Sequence, residues 1–220
     1  MQFVIRHFRT MLNFVTYDIS DQAILENSYN AINRKENLIV VVDELEKTKV
    51  FTQTINSLRI DSNCQFSFQN LFKIESQINS FYIAQCLLDY GFPLGSKGSQ
   101  TFDNKYNYIA IGIANIKIDL GHTYLRPERK IDKLWNHFFN SDIDFEESEK
   151  FSDKYYLQSN SKEFIIKHFD KPFLNTIAKY DDVLISIQNN QMYISFENEL
   201  QSNQCRIIED IFENSKFVTL

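Results

Sequence analysis

The sharpest concentration of chemically capable side chains is the acidic stretch Asp142-Ile-Asp-Phe-Glu146-Glu147. In an extended chain successive side chains point to opposite sides, so Asp142, Asp144 and Glu146 share one face and offer oxygen ligands to a hard cation. The stretch lacks the central glycine and distal glutamate of a calcium loop. Alternate acids are also what an exposed edge strand carries. Two readings follow: a metal site serving a hydrolase together with a distant histidine, or a solvated edge. A second candidate is Arg126-Pro127-Glu128, where Arg126 and Glu128 form either a recognition pair or the start of a helix with an acid in its first turn.

Other potential chemistry is weaker. Gly91-Phe-Pro-Leu-Gly-Ser-Lys-Gly-Ser99 suggests a phosphate loop, but Lys97 is followed by Gly98, and the spacing departs from that of a nucleotide-binding loop. It reads as a surface connection. His7, His122, His137 and His168 are scattered, with no paired-histidine metal spacing. Cys64, Cys86 and Cys205 are odd in number and far apart, which fits buried, reduced thiols in a reducing compartment. No complete catalytic constellation and no cofactor motif is present in the sequence.

Composition narrows the class. The 220 residues are 43% hydrophobic, 15% aromatic and 24% charged, with only five Gly and three Pro, which fits a packed globular chain and excludes disorder and coiled coil as the dominant state. A net charge of −6 argues against nucleic acid as a partner, since phosphate contacts need a basic face. No apolar run reaches the length of a membrane span. Arg6 and Arg9 interrupt the N-terminal apolar segment where a secretory signal would continue, so the expected location is the cytoplasm. The 20 Phe, 11 Tyr and one Trp admit two explanations: an exposed aromatic patch for a protein partner, or compositional bias.

These side chains must be positioned by elements whose signals vary in clarity. Ser20 or Asp21 can cap a helix to about Asn33 with Leu25, Tyr29 and Ile32 on one stripe. Leu38 to Val42 reads as a strand buried on both faces, and 49–60 as a further strand. The spacing of Ile78, Phe81, Tyr82, Ala84 and Leu88 predicts a helix over 75–90, stopped by Gly91 and Pro93 and followed by a loop to residue 107. Two short strands, 106–111 and 114–120, break near Gly112. Pro127 opens an amphipathic helix on which Ile131, Leu134, Trp135 and Phe138 share a stripe, making Trp135 a core anchor.

The C-terminal third is the most regular. A strand over 151–157 precedes a helix with Asn160 and Glu163 as a capping box, interrupted and restarted at Asp170-Lys171-Pro172. Val183–Ile187 and Gln191–Phe196 flank Asn189-Asn190, residues that tolerate positive φ, and form a hairpin. A final helix over 203–214 buries Cys205, Ile208, Ile211 and Phe212. This β-α-β-β-α order implies an α+β fold, a mainly antiparallel sheet with helices packed on one face. No linker marks a boundary, so the chain reads as one domain over 1–220, with a subdivision into 1–100 and 101–220 as the alternative.

Tyr124-Leu-Arg-Pro-Glu128, Asp142-Ile-Asp-Phe145, Phe151-Ser152 with Tyr155-Tyr-Leu157, the helix ending at Phe169 and the hairpin with Met192-Tyr-Ile194 together resemble a family of uncharacterised bacterial proteins. Its members carry a Leu-Arg-Pro-Glu segment, an Asp-Ile-Asp-Phe segment and a Phe-Ser-x-x-Tyr strand in that order. The resemblance spans roughly residues 106–196. It brings no activity with it, and it strengthens Arg126 as a binding residue. Many of those proteins are anchored to a membrane near their N-terminus, a feature not expected here because no apolar run is long enough to span one. The expected function is a non-catalytic protein-binding or scaffolding domain, with the metal-dependent hydrolase as the alternative.

Overall fold

The computed structural model describes residues 19–32, 38–57, 64–76, 79–94, 101–129 and 142–218. The predicted helix after Pro127, with Trp135, falls largely outside these residues.

The described chain forms α1 (Ile19–Asn30), β1 (Leu38–Val41), α2 (Glu44–Ser57), β2 (Cys64–Glu75), β3 (Ser80–Leu94), β4 (Thr101–Asn115), β5 (Thr123–Pro127), α3 (Glu149–Ser152), β6 (Tyr155–Ser159), α4 (Lys162–His168), α5 (Lys171–Ile177), β7 (Val183–Gln188), β8 (Gln191–Phe196) and α6 (Gln204–Glu213). The strands make one eight-stranded sheet in the order β1-β2-β3-β4-β8-β7-β5-β6, with every neighbouring pair antiparallel. The fold is α+β, as the alternation of C-terminal elements implies. The sheet passes without interruption from the N-terminal strands to the C-terminal ones. The larger core likewise draws on residues from Leu25 to Val218.

Each strand's side chains alternate between two faces. On one face, Phe81, Ile83 and Leu87 of β3, Ala110 and Ala114 of β4, and Met192 and Ile194 of β8 join α1, α4, α5 and α6 in the main core. Here Phe169, Phe173 and Phe217 meet at ring distances of 4.9–5.6 Å, and Phe81 lies 4.9 Å from Phe212. A buried polar chain pins α1 to this face. Asn70 Nδ2 donates to Gln85 Oε1 at 2.8 Å, while Gln85 Nε2 donates to Leu25 O at 2.8 Å and to Ser28 Oγ at 2.7 Å. On the opposite face, Ala84, Cys86, Ile111, Ile113 and Tyr193 form a smaller core with Phe68 and with Val50 of α2.

Of the C-terminal expectations, the hairpin, the helix break and the final helix hold, and two others do not. Asn189 and Asn190 take φ of +52° and +58°, the two successive positive values that a two-residue hairpin turn demands. The helix break lies between α4 and α5, where Asp170 Oδ1 accepts from Phe173 N at 3.1 Å and Pro172 fills a first-turn position. The final helix buries Cys205, Ile208, Ile211 and Phe212. The capping box does not form: Asn160 Oδ1 accepts instead from His122 N at 2.8 Å, and the cap position falls to Ser161. The strand predicted over 151–157 starts later, because Glu149–Ser152 makes a helical turn first.

Five N-terminal and central expectations are corrected. Residues 49–57 belong to a helix, α2, whose N-terminus is capped by Asp43: Glu46 N donates to Asp43 Oδ1 at 2.9 Å. Its threonines fit because Thr48, Thr52 and Thr54 each return their hydroxyl to the carbonyl four residues earlier, at 2.7–2.9 Å. Residues 80–90 are strand and not helix, and β3 runs on through Gly91 and Pro93 to Leu94, where a loop was expected. β1 lies at the sheet edge with Val40 partly exposed, so it is not buried on both faces. Pro127 closes β5 opposite Tyr155 and does not open a helix; a residue without an N–H is tolerated at a strand end.

Gly112, read as a break, lies inside β4. A Cβ there would stand 2.4 Å from Ile208 Cγ2 and 2.7 Å from Phe212 Cε2, so the missing side chain is what lets α6 sit against the strand.

Candidate functional site

The second face of the sheet carries two zones of functional interest side by side. Over β2, β3 and β4 it is covered by α2, because Val50 and Phe51 on that helix meet Phe66 and Phe68 of β2. Over β5, β6 and β7 no described element covers it. The register places Tyr124 opposite Gln158 and Ser186, and Arg126 opposite Tyr156, so these side chains share the face that holds Tyr193.

In the uncovered zone the Arg126 guanidinium lies 4.7 Å from the centre of the Tyr156 ring, and Arg126 Nη1 donates to Pro127 O at 3.1 Å. Both side chains are half-buried. Tyr124 is 44% exposed. The result is a patch of two tyrosines around an oriented arginine, flanked by Leu184 and Ser186. Glu128, the other predicted binding residue, donates its backbone N–H to Lys154 O at 2.8 Å just past the end of β5.

The acidic stretch behaves differently from its sequence pattern. Asp142 is buried, and its Oδ1 accepts from Ile143 N at 2.8 Å and from Leu157 N at 2.7 Å. It ties the segment before α3 to β6. Burial raises its pKa, opposed by the two backbone donors and assisted by the nearby charges of Asp144 and Glu128. Asp144 and Glu146 are exposed, while Ile143 and Phe145 point into the main core. The segment is not a strand, so the shared acidic face expected of an extended chain is not built. Among the described residues no group of three or more His, Cys, Asp or Glu side chains is arranged to hold a metal.

In the covered zone the space between α2 and the sheet opens into a cleft of about 290 Å³. Glu46, Lys49 and Gln53 reach it from α2, spaced three and four apart along one helix face. Lys73 of β2, Ser80 and Tyr82 of β3, Asn115 of β4 and Gln191 of β8 supply its sheet side, with Ile113 of β4 and Val50 of α2 closing it where the two layers meet. Tyr82 donates its hydroxyl to Glu46, and burial together with that carboxylate pushes its pKa well up, so it stays a neutral donor. Lys73 Nζ pairs with Glu75 at 2.7 Å, which raises its pKa and keeps it cationic. Gln191 is oriented by three partners: it accepts from Tyr193 Oη at 2.6 Å and donates to Asn115 Oδ1 at 3.3 Å and Gln53 Oε1 at 3.5 Å.

None of these cleft residues emerges from the sequence reading. They come from five separate segments, and two of those segments carry the wrong predicted element. One local signal was available: Asp43 before an acidic first turn marks the start of α2 and would align Glu46, Lys49 and Gln53.

Cys86 and Cys205 are buried and unbridged. Burial pushes the Cys205 thiol up to about 12 and the Cys86 thiol well above its ordinary value, so neither is a nucleophile. No protein-family model, curated protein or solved structure matches the chain. No described helix is long and apolar enough to cross a membrane.

Proposed function

We propose that the chain is a non-catalytic protein-binding domain that receives its partner on the uncovered zone of the sheet, over β5, β6 and β7. The observation that carries this reading is the Arg126–Tyr156 pair beside exposed Tyr124. Tyrosine and arginine are enriched among the residues that dominate the energetics of protein interfaces, tyrosine because it presents a large contact area with a polar end and only two rotors, arginine because its planar fork both stacks and donates. Arg126 is already held over a ring, so part of its ordering cost is met before a partner arrives. Among the described residues no nucleophile paired with a base lies on the zone, which favours adhesion over chemistry. The net charge of −6 points to a protein and not a nucleic acid. Two buried thiols fit a reducing compartment such as the cytoplasm.

The test is affinity capture from the native host with the full chain and, in parallel, with a Tyr124→Ala, Arg126→Ala double variant. Tyr124 is exposed and Arg126 half-buried at the sheet surface, outside the two cores, so the variant should melt close to the parent. A partner held by the parent should bind the double variant at least about 30-fold more weakly, the effect of losing one interface hot spot of about 2 kcal/mol. Partners captured equally by both would refute the reading.

A further inference from the structure

We propose that the open edge of β1 is a dimerisation surface, where a second copy of this chain pairs with it antiparallel about a two-fold axis and carries the sheet across the interface. β1 is one outer strand of the sheet and β6 the other, and among the described residues β1 is paired only with β2. Val42 N donates to Leu71 O at 3.3 Å, and the register sets Val40 opposite Lys73 and Leu38 opposite Glu75. Bonded and unbonded positions alternate along an antiparallel pair. Leu38 and Val40 therefore turn their backbone groups to β2, and Ile39 and Val41 turn theirs outward.

Elsewhere the free edges are blunted. On β6, Leu157 N donates to Asp142 Oδ1 at 2.7 Å and Leu157 O accepts from Ile143 N at 3.0 Å. Where β4 runs past β8, Tyr108 O accepts from Leu200 N at 2.7 Å. Where β2 runs past β1, its pairing with β3 slips by one residue at Gln69, and such a bulge twists an edge away from further pairing. β1 has none of these devices. Leu38-Ile-Val-Val41 is apolar and mostly β-branched, with no charge, proline or slip in register. Val40 is 38% exposed on the face that α2 covers, since its partner Lys73 lines the cleft below that helix, and Leu45, in the first turn of α2, is 84% exposed.

A second copy is the occupant because the strand is complementary to itself. In an antiparallel pair centred on Val40, each Ile39 N–H donates to Val41 O of the other copy and each Val41 N–H to Ile39 O, so both outward residues are satisfied at once. The two Val40 side chains meet as a non-hydrogen-bonded pair, the closest cross-strand arrangement. The two-fold pairing occupies the edge on both copies, which stops growth at a dimer. β1 lies at the opposite end of the sheet from β5, β6 and β7, so dimerisation and the proposed partner binding can fail independently.

Sedimentation equilibrium of the full chain tests the assignment. The contact is one short strand pair, so a monomer–dimer equilibrium with a dissociation constant of about 1–100 μM is expected. Val40→Glu faces Lys73 within the monomer and its own copy within the dimer, so it should melt with the parent and weaken association about 5-fold or more. Val40→Lys should weaken association as well, and an equimolar mixture of the two variants should recover it, because opposite charges then meet across the axis. Val41→Pro, which removes an outward N–H and no bond to β2, should also weaken the dimer. A chain that stays monomeric at about 300 μM, including one whose β1 accepts a foreign strand instead, would overturn the assignment. So would growth beyond the dimer, association unchanged by Val40→Glu and Val41→Pro, or a mixture of the two charged variants that fails to associate.

Discussion

Replacing Gly112 by alanine tests the central packing decision of the fold, the contact of α6 with the middle of the sheet. Non-bonded carbons sit about 3.5–4.0 Å apart at their optimum. The added methyl would stand 2.4 Å from Ile208 Cγ2 and 2.7 Å from Phe212 Cε2. It is therefore short of an ordinary contact with Ile208 by roughly 1.1–1.6 Å. Neither neighbour can swing away, since both are fully buried and the Phe212 ring lies 4.9 Å from Phe81. The helix itself must shift, and inserting a methyl into a filled core costs about 1–3 kcal/mol. Lower freedom of alanine in the unfolded chain offsets about 0.4–1 kcal/mol of this. A net loss of about 1–2 kcal/mol should lower the melting temperature by roughly 2–8 °C for a chain of this size. Chemical denaturation followed by circular dichroism reads the loss directly. Ile208→Ala alone should cost about 2–5 kcal/mol by leaving a cavity, but the new methyl would partly fill that space. The double variant should then be more stable than the sum of the single losses predicts by at least about 0.5 kcal/mol. A Gly112→Ala protein as stable as the parent, or strict additivity in the double variant, would refute the close-approach argument.

Other consequences are open to measurement. Asp142→Ala leaves the amides of Ile143 and Leu157 without their acceptor and should cost about 1–3 kcal/mol, whereas Asp142→Asn keeps the oxygen and should cost much less; equal losses in denaturation would remove the structural role. Because burial raises the Asp142 pKa, its contribution is fully present below about pH 4 and is lost as pH rises through the higher folded value, a dependence that Asp142→Asn should abolish in stability measurements across that range. Millimolar Ca²⁺, Mg²⁺ or Mn²⁺ should leave the melting temperature unchanged, since a site of micromolar affinity would add about 4 kcal/mol and roughly 8–16 °C. Asn190→Val should destabilise the hairpin by about 1–2 kcal/mol because a β-branched residue resists positive φ, and Asn190→Gly should not; the reverse order in thermal melts would sink the turn assignment. Cys86 and Cys205 should resist a thiol reagent in the folded protein and react on unfolding, and rapid labelling of either in the folded state would contradict its burial and raised pKa.

The sequence alone determined those elements whose signals are local. Asn189-Asn190 between two alternating runs specifies a hairpin because few residues accept two positive φ angles in succession. Asp170 and Pro172 specify the start of α5 because one side chain accepts a free backbone N–H and the other has none to satisfy. The spacing of Cys205, Ile208, Ile211 and Phe212 specifies α6 because only a helical period brings those four onto one stripe while Arg206, Asp210 and Glu213 stay partly open. From these elements the α+β class followed. Tertiary structure decided the rest, and β3 shows why. Phe81, Ile83, Gln85 and Leu87 are buried on one face, and Ala84 and Cys86 on the other, so nearly every position is apolar and the run satisfies a helical period as well as a strand's. Only the flanking strands β2 and β4, which supply backbone partners on both edges, make the extended form the stable one. The two candidate sites depend on the same decision. Arg126 meets Tyr156 through the β5–β6 register, and Lys49, Lys73, Asn115 and Gln191 meet only once α2 lies across a sheet whose strands are far apart in the chain. No local pattern encodes such a meeting, because it depends on which strands pair.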